Sequence, residues 1–210
     1  MAFASVALTQ ARTLLNDDGA TLWTDVALLP KLAIAHQELQ SMLWDQNSPV
    51  VREESSTLLV AIAATDLGVL QPADLLVPFR LYEYDYAVGP PVVYSNPVEM
   101  TEMIFLPLGV AATTKLIFWA WREEKIIFIG STVARGVRVQ YRKSITAPAT
   151  ADAEIGITLG EMYLGPRTAA LGAMSVGNME VHNSYTQMAM ANFARVLAAQ
   201  RGQQTALGGA

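Results

Sequence analysis

Cysteine is absent from this chain of 210 residues, and histidine occurs only twice. The first absence removes disulfides, thiol nucleophiles and cysteine-based metal sites together. The second leaves His36 and His182 as the sole imidazoles, and each has a structural reading. His36 lies within an apolar-patterned helical segment; His182 stands beside Asn183 and Ser184, either of which can cap a helix. Charge is also scarce, at 16% of residues. Long apolar runs are missing: Leu58–Ala64 is too short to cross a membrane, and Lys115–Gly130 is broken by Arg122, Glu123, Glu124 and Lys125. The opening MAFASVAL has no basic stretch before its short apolar run, and no Asn-x-Ser/Thr sequon occurs. These absences point to a product of the cytoplasm with no membrane partner.

Signatures of chemistry are equally sparse. No Walker loop, Gly-x-Gly-x-x-Gly turn or EF-hand loop appears, and Gly172-Ala173-Met174-Ser175-Val176-Gly177 has the wrong spacing for a nucleophile elbow. The run His36-Gln37-Glu38 has the His-x-Glu spacing of a zinc deaminase without the cysteine pair that must accompany it. The carboxylate pairs Asp17/Asp18, Glu53/Glu54 and Glu123/Glu124 fall in turns or at element ends, where solvated charge is the default. The expectation is a protein that is not an enzyme and has no catalytic residue, metal or cofactor.

What is present is apolar. Hydrophobic residues make up 52% of the chain and mean hydropathy is +0.28. Either an alanine-rich core absorbs this excess, or apolar surface is left over for a protein partner. Charge is uneven as well: residues 1–110 hold four basic and thirteen acidic residues, residues 111–210 ten and six. Such a layout suits head-to-tail stacking of identical subunits, and equally suits unrelated surface charges.

The chain opens on two helical segments. Leu8, Ala11 and Leu15 recur at three-and-four spacing; Asn16-Asp17-Asp18-Gly19 stops the helix, with Gly19 the natural residue for positive φ. Thr24 or Asp25 caps the next helix, and Trp23 before it can act as a hydrophobic staple. Leu28, Leu32, Ala35, Leu39 and Met42 then mark one apolar stripe. From Ser55 the texture turns to β. Ser56–Ala64 and Asp74–Tyr86 read as strands, with Tyr82, Tyr84 and Tyr86 alternating against Glu83 and Asp85, and Pro78 marking an edge or a bulge. Gly89-Pro90-Pro91, Asn96-Pro97 and Pro107-Leu108-Gly109 interrupt. Leu116–Trp121 and Ile126–Ile129 flank a charged turn, and Val137, Val139 and Tyr141 alternate with Arg138, Gln140 and Arg142. A meander of about four to seven antiparallel strands is expected. Trp119 and Trp121 share a face and are assigned to packing, so Trp119→Ala should weaken folding more than assembly. Helical texture returns after Pro148, with Pro166 either in a first turn near Leu164 or kinking a longer helix, and a final helix follows from about Val181.

The fold expected is therefore α+β: a bundle of about four helices from residues 1–50 and 158–202, a large antiparallel β insertion at 54–146 between the second and third helices, and a flexible tail at 203–210. The pattern AR-x-LLND, TLWTD and LLPKL in the opening helices, the WAWREEKIIFIG hairpin, the Val-x-Val-x-Tyr strand and the EMYLGPRTAALGA helix together resemble the head-to-tail adaptor (head completion, or connector) proteins of tailed bacteriophages. The similar parts span nearly the whole chain, and the Tyr82–Pro97 stretch departs from the pattern most.

The resemblance implies a structural virion protein of the neck, made in the host bacterial cytoplasm. It implies a homo-oligomeric ring of about twelve copies that binds the portal protein and joins it to a stopper or tail protein. The C-terminal residues Arg201, Gln203, Gln204, Thr205 and Leu207 would dock on the portal, and deleting 202–210 should abolish that docking without unfolding the chain. Tyr82, Tyr84, Tyr86, Arg135, Arg138 and Arg142 are the candidates for a subunit or partner interface. Two alternatives stand beside this reading: another phage structural role such as tail terminator, and a small nucleic-acid-binding module built on the Arg135–Lys143 patch near the aromatic hairpin. An adaptor lining a DNA channel would touch passing DNA without sequence preference. A salt-sensitive DNA shift would favour the nucleic-acid module.

Overall fold

The computed structural model describes residues 3–85, 97–107 and 110–207, with side chains through Gln200. The class is α+β, with four α-helices and two sheets among the described residues. Two compact units divide the chain: Met1–Val51 with Ile145–Ala210, and Arg52–Ser144.

The first unit holds α1 (Ala4–Leu14), α2 (Asp25–Asp45), α3 (Gly160–Ser175) and α4 (Met179–Leu207). Helix α1 buries Ala4, Ala7, Leu8 and Ala11, the one-face spacing of a helix, and three of the four are alanines. That small-residue face lets α1 approach α3 closely: a Cβ on Gly165 would stand 2.8 Å from the Cβ of Gln10. The turn after α1 is organised by Asp17. Its carboxylate accepts from the backbone N–H groups of Thr21, Leu22 and Trp23 and from the Thr21 hydroxyl. The Thr21 hydroxyl bond and then the Trp23 amide bond hold the Asp17 pKa down to about 2. The positive φ falls on Asn16 and Ala20, not on Gly19, because Asp17 fixes the turn by side-chain acceptance. Thr24 caps α2, accepting from the Ala27 amide.

Pro166 lies inside α3. Its ring removes the N–H that would serve the Met162 carbonyl, a gap that ordinarily weakens or kinks a helix. The Asn192 side-chain amide, reaching from α4, donates to that carbonyl at 2.9 Å. Asn192→Leu should therefore cost about 1–2 kcal/mol, read by urea denaturation; an unchanged midpoint would show that the carbonyl finds another donor. Helix α4 begins at Met179 with Asn178 as its cap, accepting from the Val181 amide. The expected caps Asn183 and Ser184 are instead exposed positions inside the helix. At its other end α4 continues to Leu207, so the backbone of 203–207, read from sequence as tail, is helical. One glycine, Gly202, does not outweigh the helix formers around it.

Residues 147–157, left between the two parts by the sequence reading, belong with this unit despite having no helix, and so do residues 145–146, read from sequence as the end of the β insertion. Ile155 and Ile157 are buried in the helical core. The first amides of α1, Ala4 and Ser5, donate to the carbonyls of Ala153 and Ala151, which replaces the side-chain cap that Phe3 cannot supply.

The second unit contains β1 (Arg52–Glu54), β2 (Leu58–Val60), β3 (Leu75–Asp85), β4 (Val98–Glu99), β5 (Thr101–Glu102), β6 (Phe118–Arg122), β7 (Lys125–Phe128) and β8 (Arg135–Lys143). It is not a meander. Strand β8 is central: β3 pairs along one edge, β1 and β2 along the other, and β4 lies outside β3. A second sheet, β5-β6-β7, includes a parallel β5–β6 pair. Val137, Val139 and Tyr141 of β8 are buried with Leu81, Trp119, Ile126 and Phe128, the face that alternation marks. Pro78 sits at a register shift of β3, so the bulge reading holds. The strand read at Ser56–Ala64 is confined to Leu58–Val60, since Ala63 turns the chain at φ 62°.

The β6–β7 hairpin closes through Glu123 and Glu124, at φ 50° and 60°. A two-residue turn of this hand suits the twist of the strands, yet asparagine and glycine suit those angles better. Glu123→Asn with Glu124→Gly should raise stability by about 1–2 kcal/mol; a fall in melting temperature would contradict it.

Candidate partner-binding surfaces

On β3, Leu81 and Glu83 point into the β core, Glu83 with 1% of its surface exposed. Strand β8 supplies its partner. Arg135, opposite Asp85 in the β3–β8 register, is itself buried; its Nε donates to Glu83 and its Nη1 pairs with Asp85. Glu83 Oε1 also accepts from the Leu116 amide at 3.0 Å. Burial opposes the charge on Arg135, and the two carboxylates outweigh it, so its pKa lies above the ordinary value. Arg135 thus leaves the set of interface candidates, because its charge is committed inside its own unit. Tyr84 leaves it too: the side chain is buried, with the Arg138 guanidinium 5.0 Å from its ring centre. Tyr82 is half-buried, and Tyr86 lies outside the described residues.

The remaining cations of the patch behave similarly. Arg138 donates to the Thr57 hydroxyl and pairs with Glu54, and Lys143 pairs with Glu53 at 2.8 Å. Arg142 is half-buried opposite Arg52. Antiparallel pairing of β8 with β1 and β3 carries the basic second half of the sequence onto acids of the first half. The charge imbalance is largely cancelled locally, which leaves little net positive field for a phosphate backbone. Tyr141 donates to Asp74 at 2.9 Å; burial and then that bond raise its pKa.

In the helical unit, Arg167 of α3 grips Glu38 of α2 as a fork, Nε to Oε2 at 2.6 Å and Nη2 to Oε1 at 2.9 Å, while Nη1 donates to Thr186 of α4. Tyr163 lies in the same network; burial and then the Glu38 charge push it up to about 12. Neither Glu38 nor Arg167 stands out in the sequence, since each is an isolated charge in a helix whose partner is far along the chain.

His36 is fully buried, its Nε2 3.0 Å from the Ile155 carbonyl, and its Nδ1 has no hydrogen-bond partner. Burial lowers its pKa from the ordinary 6.5. The unfolded chain takes up a proton near pH 6.5 and the folded one resists it. Stability should therefore fall below that pH by up to about 1.4 kcal/mol per pH unit. His36→Leu should flatten the profile between pH 6.5 and the lower pKa of the buried ring, and a slope unaltered in that variant would assign it elsewhere. Asp17 acts in a separate window, its contribution lost only below 3.8 as pH falls toward 2.

Exposed apolar side chains are numerous in both units. The helical unit exposes Leu22, Val26, Ile34, Val176 and Met179. Helices α1, α3 and α4 also enclose a groove of about 400 Å³ floored by Leu14, Met162, Pro166 and Met188. The β unit exposes Ile62, Val69, Ile104 and Phe105, and a second groove of about 510 Å³ borders Leu106, Val110 and Ile127. Arg201, Gln203, Gln204, Thr205 and Leu207 lie on the last turns of α4, with their side chains outside the description. Among the described residues no group of three or more His, Asp or Glu could hold a metal ion, and no helix is long and apolar enough to cross a membrane. No protein-family model and no curated protein matches the chain.

Proposed function

We propose that this chain is a structural virion protein, a head-to-tail adaptor whose copies form a ring that binds the portal protein and connects it to a stopper or tail protein. In this reading the β unit is an insertion into a four-helix bundle made from both ends of the chain. The observation that carries the proposal is the surplus of exposed apolar surface. Val26 is 84% and Ile104 83% exposed, and Leu22, Val176 and Met179 are exposed as well, apolar surface that a protein partner would bury. The motif resemblance of the opening helices, the hairpin and α3 supplies the kind of partner. The C-terminal turns of α4, with Gln203, Gln204 and Leu207, are the portal-docking element, and contact with passing DNA is non-specific.

Electron microscopy of the purified chain, alone and mixed with the portal protein from the same genome, tests the proposal. Rings stacked on portals, lost when residues 202–210 are removed, are the expected result. Protein that never associates with the portal would overturn it.

A further inference from the structure

From the end of β8 toward α3 the chain runs as a strap, residues 145–157, that contains neither a helix nor a named strand. Ile155 and Ile157 are buried in the helical core, while Asp152, Glu154 and Gly156 are exposed. That alternation is the one an extended segment shows when it lies on a surface. Polar ties hold it along its length. Gln40 of α2 accepts from the Ile145 amide at 3.1 Å, and the carbonyls of Ala151 and Ala153 accept from the Ser5 and Ala4 amides of α1. The Ile155 carbonyl meets the His36 ring at 3.0 Å. The strap also packs tightly on itself: Gly156 has φ 70°, and a Cβ there would stand 2.8 Å from Cγ2 of Ile145.

A carbonyl oxygen only accepts, so the Ile155 contact fixes the proton of the neutral His36 ring on Nε2. Nδ1 is then a bare lone pair, buried and without a hydrogen-bond partner among the described residues. A second proton can enter only there. It would create a buried N–H with no acceptor, on a cation with no counter-ion. The charged groups of the surrounding elements are engaged elsewhere or exposed. On α2, Lys31 bonds the Ala27 carbonyl, Glu38 is gripped by Arg167 of α3, and Asp45 is exposed. On α1, Arg12 pairs with Asp25; on the strap, Asp152 and Glu154 face solvent, as Arg195 does on α4. Neither these nor Tyr163 and Glu161 of α3 are among the causes of the lowered His36 pKa, which are burial and, opposing it, the Ile155 carbonyl.

A charged ring must be hydrated, and two routes lead there. Unfolding the unit gives up the packing of α1, α2 and α4 on α3. Lifting the strap gives up only its polar ties and the cover of two isoleucines, and segments with few backbone bonds open most readily. We infer that residues 145–157 are an acid-released latch on the helical unit, closed over the neutral His36 ring and lifted when that ring takes a proton. Lifting bares the Ala4 and Ser5 amides and the apolar floor beneath Ile155 and Ile157, a surface absent at neutral pH. The latch belongs to the single chain and does not depend on the assembly reading.

Opening and titration are linked. A ring that is protonated only in the open strap titrates at the ordinary 6.5 lowered by the closing equilibrium. Each tenfold loosening of the strap therefore raises the midpoint of release by about one pH unit.

Hydrogen exchange of the full chain across the acid range, corrected for intrinsic rates, reads the latch. The amides of Ala4, Ser5 and Ile145 should lose protection about tenfold per pH unit below about 6.5, while the interior amides of α3 and α4 keep theirs. Nitrogen NMR of the His36 ring should show Nε2–H at neutral pH and a midpoint that matches release. His36→Leu should keep the three amides protected throughout. His182 remains in that variant, so a loss that persists there would overturn the assignment. Gly156→Ala should loosen the strap at neutral pH and raise the midpoint by about one unit for each tenfold loss of protection. A loosened strap with an unmoved midpoint would overturn the latch. So would α3 and α4 amides that lose protection together with the strap, since the whole unit would then be opening.

Discussion

Replacing Arg135 by methionine should destabilise the β unit by about 3–5 kcal/mol, the largest single effect expected in this protein. The substitution removes the guanidinium and leaves the Glu83 carboxylate, 2% exposed, with the Leu116 amide as its remaining donor. A buried charge stripped of its counter-ion keeps its desolvation penalty and loses the attraction that offset it. Asp85, being half exposed, is hydrated and contributes little to the loss. Urea denaturation gives the magnitude, and hydrogen exchange at the β8 amides shows that the loss is local to this unit. Glu83→Leu combined with Arg135→Met should recover more than half of it, because the orphaned charge is then gone. A single variant within 1 kcal/mol of the parent would mean that water reaches Glu83.

Arg167→Ala should cost the helical unit about 2–3 kcal/mol. The figure is below that for Arg135 because the Arg167 and Glu38 side chains are 16% and 36% exposed, so solvent screens part of the pair. Three helices lose a common tie: the two-point grip on Glu38 and the bond to Thr186 vanish together. Arg167→Lys keeps the charge and should still lose more than half of this stability, since an ammonium cannot span both carboxylate oxygens and the hydroxyl. Thermal melts of the two variants decide it; a lysine variant as stable as the parent would show that charge, not fork geometry, is what matters.

Several features were legible in the sequence because their causes are local. The apolar face of α1, the cap at Thr24, the charged turn at Arg122–Lys125 and the alternation of Val137, Val139 and Tyr141 each depend on residues within a few positions. The α+β class followed from the change of period along the chain. Where the reading failed, the deciding partner was distant. Glu83 alternates with tyrosines like a solvated strand residue, and only β8, about fifty residues later, makes it an interior one. The same pairing withdraws Tyr84 and Arg135 from the surface. Pro166 looks like a helix breaker until Asn192 answers the carbonyl it orphans. Residues 145–157 carry no helical pattern, yet the amides of α1 and the His36 ring require their carbonyls.

The sequence by itself determined the absence of thiol chemistry, the stop after α1 and the cap of α2, the burial pattern along β8 and the surplus of apolar residues. The tertiary structure decided which charges pair with which. Ion pairing depends on distances of a few ångströms between residues that the chain separates by tens or hundreds of positions. Folding paired Arg135, Arg138 and Lys143 with acids of β1 and β3 that stand far away in the sequence.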